Sequence, residues 1–141
     1  EPAFKEYKGY PRTICASVNE EVVHGIPGQR RLKEGDIISI DVGVKLEGYY
    51  SDTARTFAVG RISGAAERLV RVTEESLYQG IDRARKGNRL FDISHAVQQY
   101  VEKQGFGVVR QFVGHGIGAH LHEEPQVPNF GSPNLGPILK E

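Results

Sequence analysis

Three of the chain's five histidines fall between residues 112 and 125, in Phe-Val-Gly-His-Gly-Ile-Gly-Ala-His-Leu-His-Glu-Glu-Pro. Gly114 and Gly116 flank His115, and Gly118 follows. Glycine neighbours remove side-chain bulk, so the imidazole can meet a metal or a substrate closely. Imidazole is the commonest metal ligand and exchanges protons near neutral pH. A surface loop has little use for such a window. Upstream, Asp41 lies inside a strongly apolar run whose Ile38, Ile40, Val42 and Val44 face one way and Ser39, Asp41 and Gly43 the other, and Asp52 follows between Ser51 and Thr53.

If these two runs form a hairpin turning over Lys45 to Gly48, Val44 pairs with Tyr49 and Asp41 stands opposite Asp52. Opposed residues have Cβ atoms roughly 4.5–5.5 Å apart on one face, where like charges repel. Two metal ions about 3.5–4 Å apart, bridged by carboxylates, would relieve that repulsion. Incidental acids on an exposed hairpin are the plainer alternative, and Asp41's apolar setting speaks against it. His115 is the natural third ligand, or else a satisfied core histidine. His120 and His122 share a face if residues 119–123 are extended, and one of them can then point into a site. Glu123 and Glu124, beside a proline, read more readily as surface. His24, before Gly-Ile-Pro, reads equally as structural or functional, and His95 as helical surface. Cys15 has no neighbouring cation to activate its thiol and reads as a small apolar wall.

The elements that must position these groups are legible in outline. Residues 11–24 have no helical period and read as extended, ending in a turn over Gly25 to Gly28. Residues 36–44 alternate as a half-buried strand, and 49–59 form a second strand rich in aromatic and β-branched residues. Leu69, Thr73, Leu77, Ile81 and Ala84 predict one buried helical stripe, starting from a Ser63 cap and stopping at Lys86-Gly87. Asn88 caps a second helix with Leu90, Ile93, Val97 and Val101 on one face. Residues 108–113 read as a strand, and the four prolines of 125–137 as irregular chain. The sum is a mixed α/β domain of the segregated, α+β kind.

At 141 residues the chain fits one domain with a real core. Eighteen basic residues balance eighteen acidic ones, which argues against nucleic acid as a partner. The single cysteine rules out an internal disulfide and suits a reducing, cytoplasmic setting. No apolar run reaches membrane-spanning length. The absence of methionine, the start at Glu1-Pro2 and the unmarked finish at Glu141 predict a segment cut at both ends from a longer chain. Leu32-Lys33-Glu34 and Leu139-Lys140-Glu141 also echo one another.

Together these stretches resemble type I methionine aminopeptidases, dinuclear metalloproteases of the pita-bread fold. The matching motifs are Tyr7-Lys-Gly-Tyr10-Pro, Cys15-Ala-Ser-Val-Asn19-Glu, Val-His24-Gly-Ile-Pro and Asp36-Ile-Ile-Ser-Ile-Asp41-Val. Ser51-Asp52-Thr53, Gly114-His115-Gly-Ile-Gly and His122-Glu-Glu-Pro-Gln-Val complete the set. They run in order over almost the whole chain, and jointly they are very specific.

The resemblance implies a pita-bread fold, an antiparallel sheet with helices on one face, incomplete at its C-terminal side, with residues 1–141 one partial catalytic domain. It implies two divalent metal ions (Co, Mn, Fe or Zn) held by Asp41, Asp52 and His115. It implies that a metal-activated water attacks the first peptide bond of substrates beginning with Met. His122 and His24 would contact the substrate, while Tyr7, Tyr10 and Cys15 would wall the methionine pocket. The implied partners are nascent chains at the ribosome, met by a monomeric cytoplasmic enzyme, with no membrane and no direct nucleic-acid contact.

The chain departs from the family pattern in two ways. The family's two glutamate ligands lie downstream of the histidine window, and the echo at 139–141 marks the approach to one of them. The 141 residues alone are therefore expected to be inactive. Leu121 stands where an aromatic often lines the pocket, and Phe130 is slightly off the usual pattern. The alternatives are a proline-specific relative on the same fold, such as aminopeptidase P or prolidase, and a non-catalytic pita-bread module that binds peptides.

Overall fold

The computed structural model describes residues 1–140; Glu141, the last letter of the echo, lies outside the described residues. The chain divides into two compact units, residues 1–67 with 117–123, and residues 68–116 with the chain from 124 onward.

The first unit is built on an antiparallel sheet of β1 (Cys15–Val18), β2 (Ile37–Leu46) and β3 (Tyr49–Ala58), in that order. The alternation of Ile38 to Val44 does form the central strand. Its hairpin is tighter than residue types suggest. Leu46 pairs with Tyr49, so the loop is only Glu47-Gly48, both left-handed at φ 51° and 85°. Two left-handed residues match the twist of a two-residue hairpin, at a steric cost for Glu47 that a glycine would not bear.

Gly25 is not in a turn. Its carbonyl accepts the Ala16 N–H at 2.8 Å and its own N–H donates to Ser17 Oγ at 3.0 Å. Gly25 therefore lies against β1, so closely that a Cβ on it would lie 2.3 Å from the Ala16 carbonyl oxygen. Where β2 begins, buried Asp36 ties down its start. Its carboxylate accepts from Asn19 Nδ2 at 2.9 Å and from the Lys33 N–H at 3.0 Å, and these bonds hold it below the usual aspartate range.

The second unit holds most of α1 (Gly64–Ile81), all of α2 (Leu90–Lys103) and, apart from Glu123, a two-stranded ladder of β4 (Gly114–Gly116) with β5 (Glu123–Val127). Ser63 caps α1 as expected, accepting the Ala66 N–H at 3.2 Å, but the helix stops at Ile81. The buried stripe is also different. Val72, Ser76 and Gly80 are buried, whereas Leu69, Leu77 and Ile81 are exposed. The reason is closeness. A Cβ on Gly80 would meet Val97 at 3.0 Å and Ile93 at 3.3 Å, so small residues, not the leucines, face α2.

Asn88 does not cap α2. Arg89 takes the cap position and donates its N–H to Asp92 Oδ2 at 2.8 Å, while Asn88 turns back to the Arg83 carbonyl. The proline-rich tail completes that helix end. The Leu90 and Phe91 N–H groups donate to the carbonyls of Pro137 and Leu135. His95 is half-buried rather than on the surface, its Nδ1–H donating to the Gly131 carbonyl at 3.2 Å. Residues 108–113 form no strand; the strand lies at 114–116, around His115 itself.

Ser94 is fully buried on α2, and its hydroxyl has no partner among the described residues. A buried hydroxyl without a partner is costly, and alanine is the better helix former. Ser94→Ala is expected to stabilise the full-length protein by about 1 kcal/mol, seen as a higher denaturation midpoint at unchanged slope. A lower midpoint would contradict an unpartnered hydroxyl at this position.

Candidate metal and substrate site

In the observed register Asp41 pairs with Ala54, and Asp52 with Gly43, so the two aspartates do not oppose each other. The displacement is two residues, and an even displacement keeps a side chain on its original face. Asp41 and Asp52 are diagonal neighbours on one face, about 7–8 Å apart at Cα and somewhat less at Cβ. Asp41 is half-buried, with its Oδ1 fully enclosed, and Asp52 is exposed.

The same face carries an apolar cluster. Cys15 stands opposite Asp41 across β1 and β2. Ala3, Phe4, Cys15 and Leu121 are buried together, with Tyr7, Tyr10 and Tyr50 packed around them. The structure thus gathers Tyr7, Tyr10, Cys15 and Leu121, four residues spread over more than 110 positions of sequence. Phe4 is one of the members that residue types do not single out. Its ring lies over Gly43, where a Cβ would stand 2.3 Å from it, so the bare glycine makes room for the ring. Tyr10 donates to the carbonyls of Ile14 and Gly25, and burial pushes its hydroxyl pKa well above the usual range. Burial likewise raises the Cys15 thiol, helped by the nearby Asp41 and Asp52 charges, so it stays a neutral wall.

His24 adopts a left-handed backbone, φ 61°, immediately before the anchored Gly25. Such a conformation costs a non-glycine residue about 1–3 kcal/mol and collects at functional sites. His122 stands beside Tyr7, whose hydroxyl lies 2.9 Å from its Nδ1. Residues 118–122 are bends rather than extended chain, held by a Gly118 N–H bond to the His120 carbonyl. His120 is exposed, and its N–H donates to Glu123 Oε1 at 2.7 Å, which ties Glu123 to the loop.

In the second unit, His115 sits at the centre of β4, half-buried. Its Nδ1 lies 2.9 Å from the Gly116 carbonyl oxygen. A carbonyl only accepts, so Nδ1 carries the proton and Nε2 presents its lone pair. Metal-ligating histidines are commonly oriented in this way. Carboxylate pairs and imidazoles with a presented Nε2 are donors of the kind that bind Mn, Fe, Co or Zn. Within each unit, no three His, Cys, Asp or Glu side chains among the described residues cluster as a complete metal site.

A family model describing metallopeptidase family M24 matches residues 3–141. The chain belongs to that family. The M24 chain is 60% identical over 139 residues to methionine aminopeptidase 1 of Bacillus subtilis, covering 99% of this chain and 56% of that protein. The crystal structure of methionine aminopeptidase from Thermotoga maritima is 50% identical, with a TM-score of 0.98 over all of this chain and 57% of that one. A prolidase from Pyrococcus horikoshii, at 23% identity and TM-score 0.79, shares the fold alone. The M24 chain thus has the pita-bread fold expected of it, and it spans about half the length of the methionine aminopeptidases it matches. No helix among the described residues is long and apolar enough to cross a membrane.

Proposed function

We propose that the protein carrying this chain is a methionyl aminopeptidase that removes N-terminal methionine from nascent polypeptides. On this reading residues 1–141 are part of one catalytic domain, acting in the cytoplasm as a monomer near the ribosome. The observation that carries it is the shared face, on which Asp41 and Asp52 border the Tyr7, Tyr10, Cys15 and Leu121 cluster. Names of relatives at 46–60% identity point the same way.

Two divalent ions, when bound, would polarise the scissile carbonyl and acidify water. Asp41 and Asp52 would hold them with carboxylate oxygens and His115 with Nε2. The cluster would receive an unbranched, polarisable side chain, for which sulfur against aromatic rings is well suited. His24 and His122 would hydrogen-bond the peptide beside the reacting carbon.

The full-length protein, supplied with Mn, Co, Fe or Zn, is expected to release Met from Met-Ala-Ser and to leave X-Pro peptides intact. Cleavage of X-Pro alone would favour the proline-specific alternative. Calorimetry that shows no metal binding would leave only a peptide-binding module.

A further inference from the structure

We propose that Tyr7 is a positioning residue for His122 that sets its tautomer, in addition to walling the pocket. The inference rests on the reading of His122 as a group that hydrogen-bonds the reacting peptide.

The Tyr7 hydroxyl is 2.9 Å from His122 Nδ1, and the two rings are near-parallel, 24° apart with centroids 5.4 Å apart. The rings are stacked with an offset, and that packing holds the hydroxyl at hydrogen-bond distance from Nδ1. A phenol donates hydrogen bonds better than it accepts them, because its ring withdraws the oxygen lone pairs. The favoured arrangement is therefore O–H to a bare Nδ1, which leaves the proton on Nε2. Nε2 then becomes a fixed donor on the far side of the ring, as a contact to a developing oxyanion requires.

The backbone shows that this aim is built in. Tyr7 lies in a single 3-10 turn whose neighbours Glu6, Lys8 and Gly9 are all left-handed, at φ 69°, 48° and 81°. The strained turn is closed by bonds from Tyr7 N–H to the Phe4 carbonyl, Glu6 N–H to Tyr10 and Tyr10 N–H to Tyr7. Left-handed non-glycine residues persist only where surrounding structure over-determines them. A pocket wall needs an aromatic surface; it does not need a hydroxyl held at one angle.

The test is Tyr7→Phe in the full-length protein, which keeps the ring and removes only the hydroxyl. Turnover of Met-Ala-Ser is expected to fall about tenfold with KM nearly unchanged, the loss of one oriented hydrogen bond. Ring 15N NMR of His122, without paramagnetic metal, should show a pyridine-like Nδ1 in the wild type and a mixture of tautomers in Tyr7→Phe. In a His122→Ala background, adding Tyr7→Phe should cost no further turnover. Unchanged ring 15N shifts in Tyr7→Phe, or a full additional tenfold loss in the double variant, would overturn the proposal. Absence of Met release from the wild type would instead defeat the functional reading, and the NMR arm would still judge the Tyr7–His122 bond.

Discussion

Asp41→Asn in the full-length protein is expected to lower turnover of Met-Ala-Ser by about a thousandfold, with the protein still folded. Asparagine keeps the shape of the side chain and one carbonyl oxygen but removes the charge. A dication contributes several kcal/mol of transition-state stabilisation, and each 1.36 kcal/mol is a factor of ten in rate. The loss should therefore appear in kcat and in metal affinity together, by activity assay and calorimetry. Asp52→Asn should behave alike, because the two aspartates are diagonal neighbours on one face and, in the proposed site, would serve the same ions. An Asp41→Asn protein with wild-type metal affinity and rate would remove this face from the chemistry. Excess metal should recover part of the activity if affinity is the main loss.

The second large effect is structural. Gly25→Ala is expected to destabilise the protein by about 3 kcal/mol, toward the upper end for overpacking a closely fitted site. The obstacle is backbone rather than a flexible side chain: the Ala16 carbonyl oxygen and carbon, at 2.3 and 2.8 Å from the added Cβ. Moving Gly25 away would also strain its bonds to Ala16, Ser17 and Tyr10. Urea unfolding should show a lower midpoint at an unchanged slope. Because His24 is the preceding residue, turnover should fall in the molecules that remain folded. A Gly25→Ala protein within 0.5 kcal/mol of wild type, the ordinary range for surface changes, would mean that the segment does not cross β1 this tightly.

Period is the legible part of this chain. The alternation through Ile38, Ile40 and Val42 marks the strand that carries Asp41, and the Ser63 cap marks the start of α1. What alternation does not supply is register. The hairpin turns on a left-handed Glu47, a residue type that does not advertise such a turn, so the true partner of Asp41 lies two positions from the expected one. Only the evenness of that slip keeps the aspartates together.

Large apolar residues point to the wrong face of α1. Leu69, Leu77 and Ile81 form the more hydrophobic stripe, yet helix packing selects the small residues that allow close approach. The apolar cluster is legible only by resemblance, since nothing local joins Cys15 to Leu121. Phe4 and the Tyr7–His122 bond escape even that, the latter linking residues 115 positions apart.

The proline-rich tail laid against the start of α2 has a consequence for synthesis. Contacts from Arg89 to Gly136 and from Asp92 to Asn134 join residues 47 and 42 positions apart. On a ribosome adding about 5–20 residues per second, the first turn of α2 waits roughly two to nine seconds for the tail that finishes it. During that interval the local bonds between Arg89 and Asp92 hold the helix end. The order of translation thus decides when this half of the molecule closes.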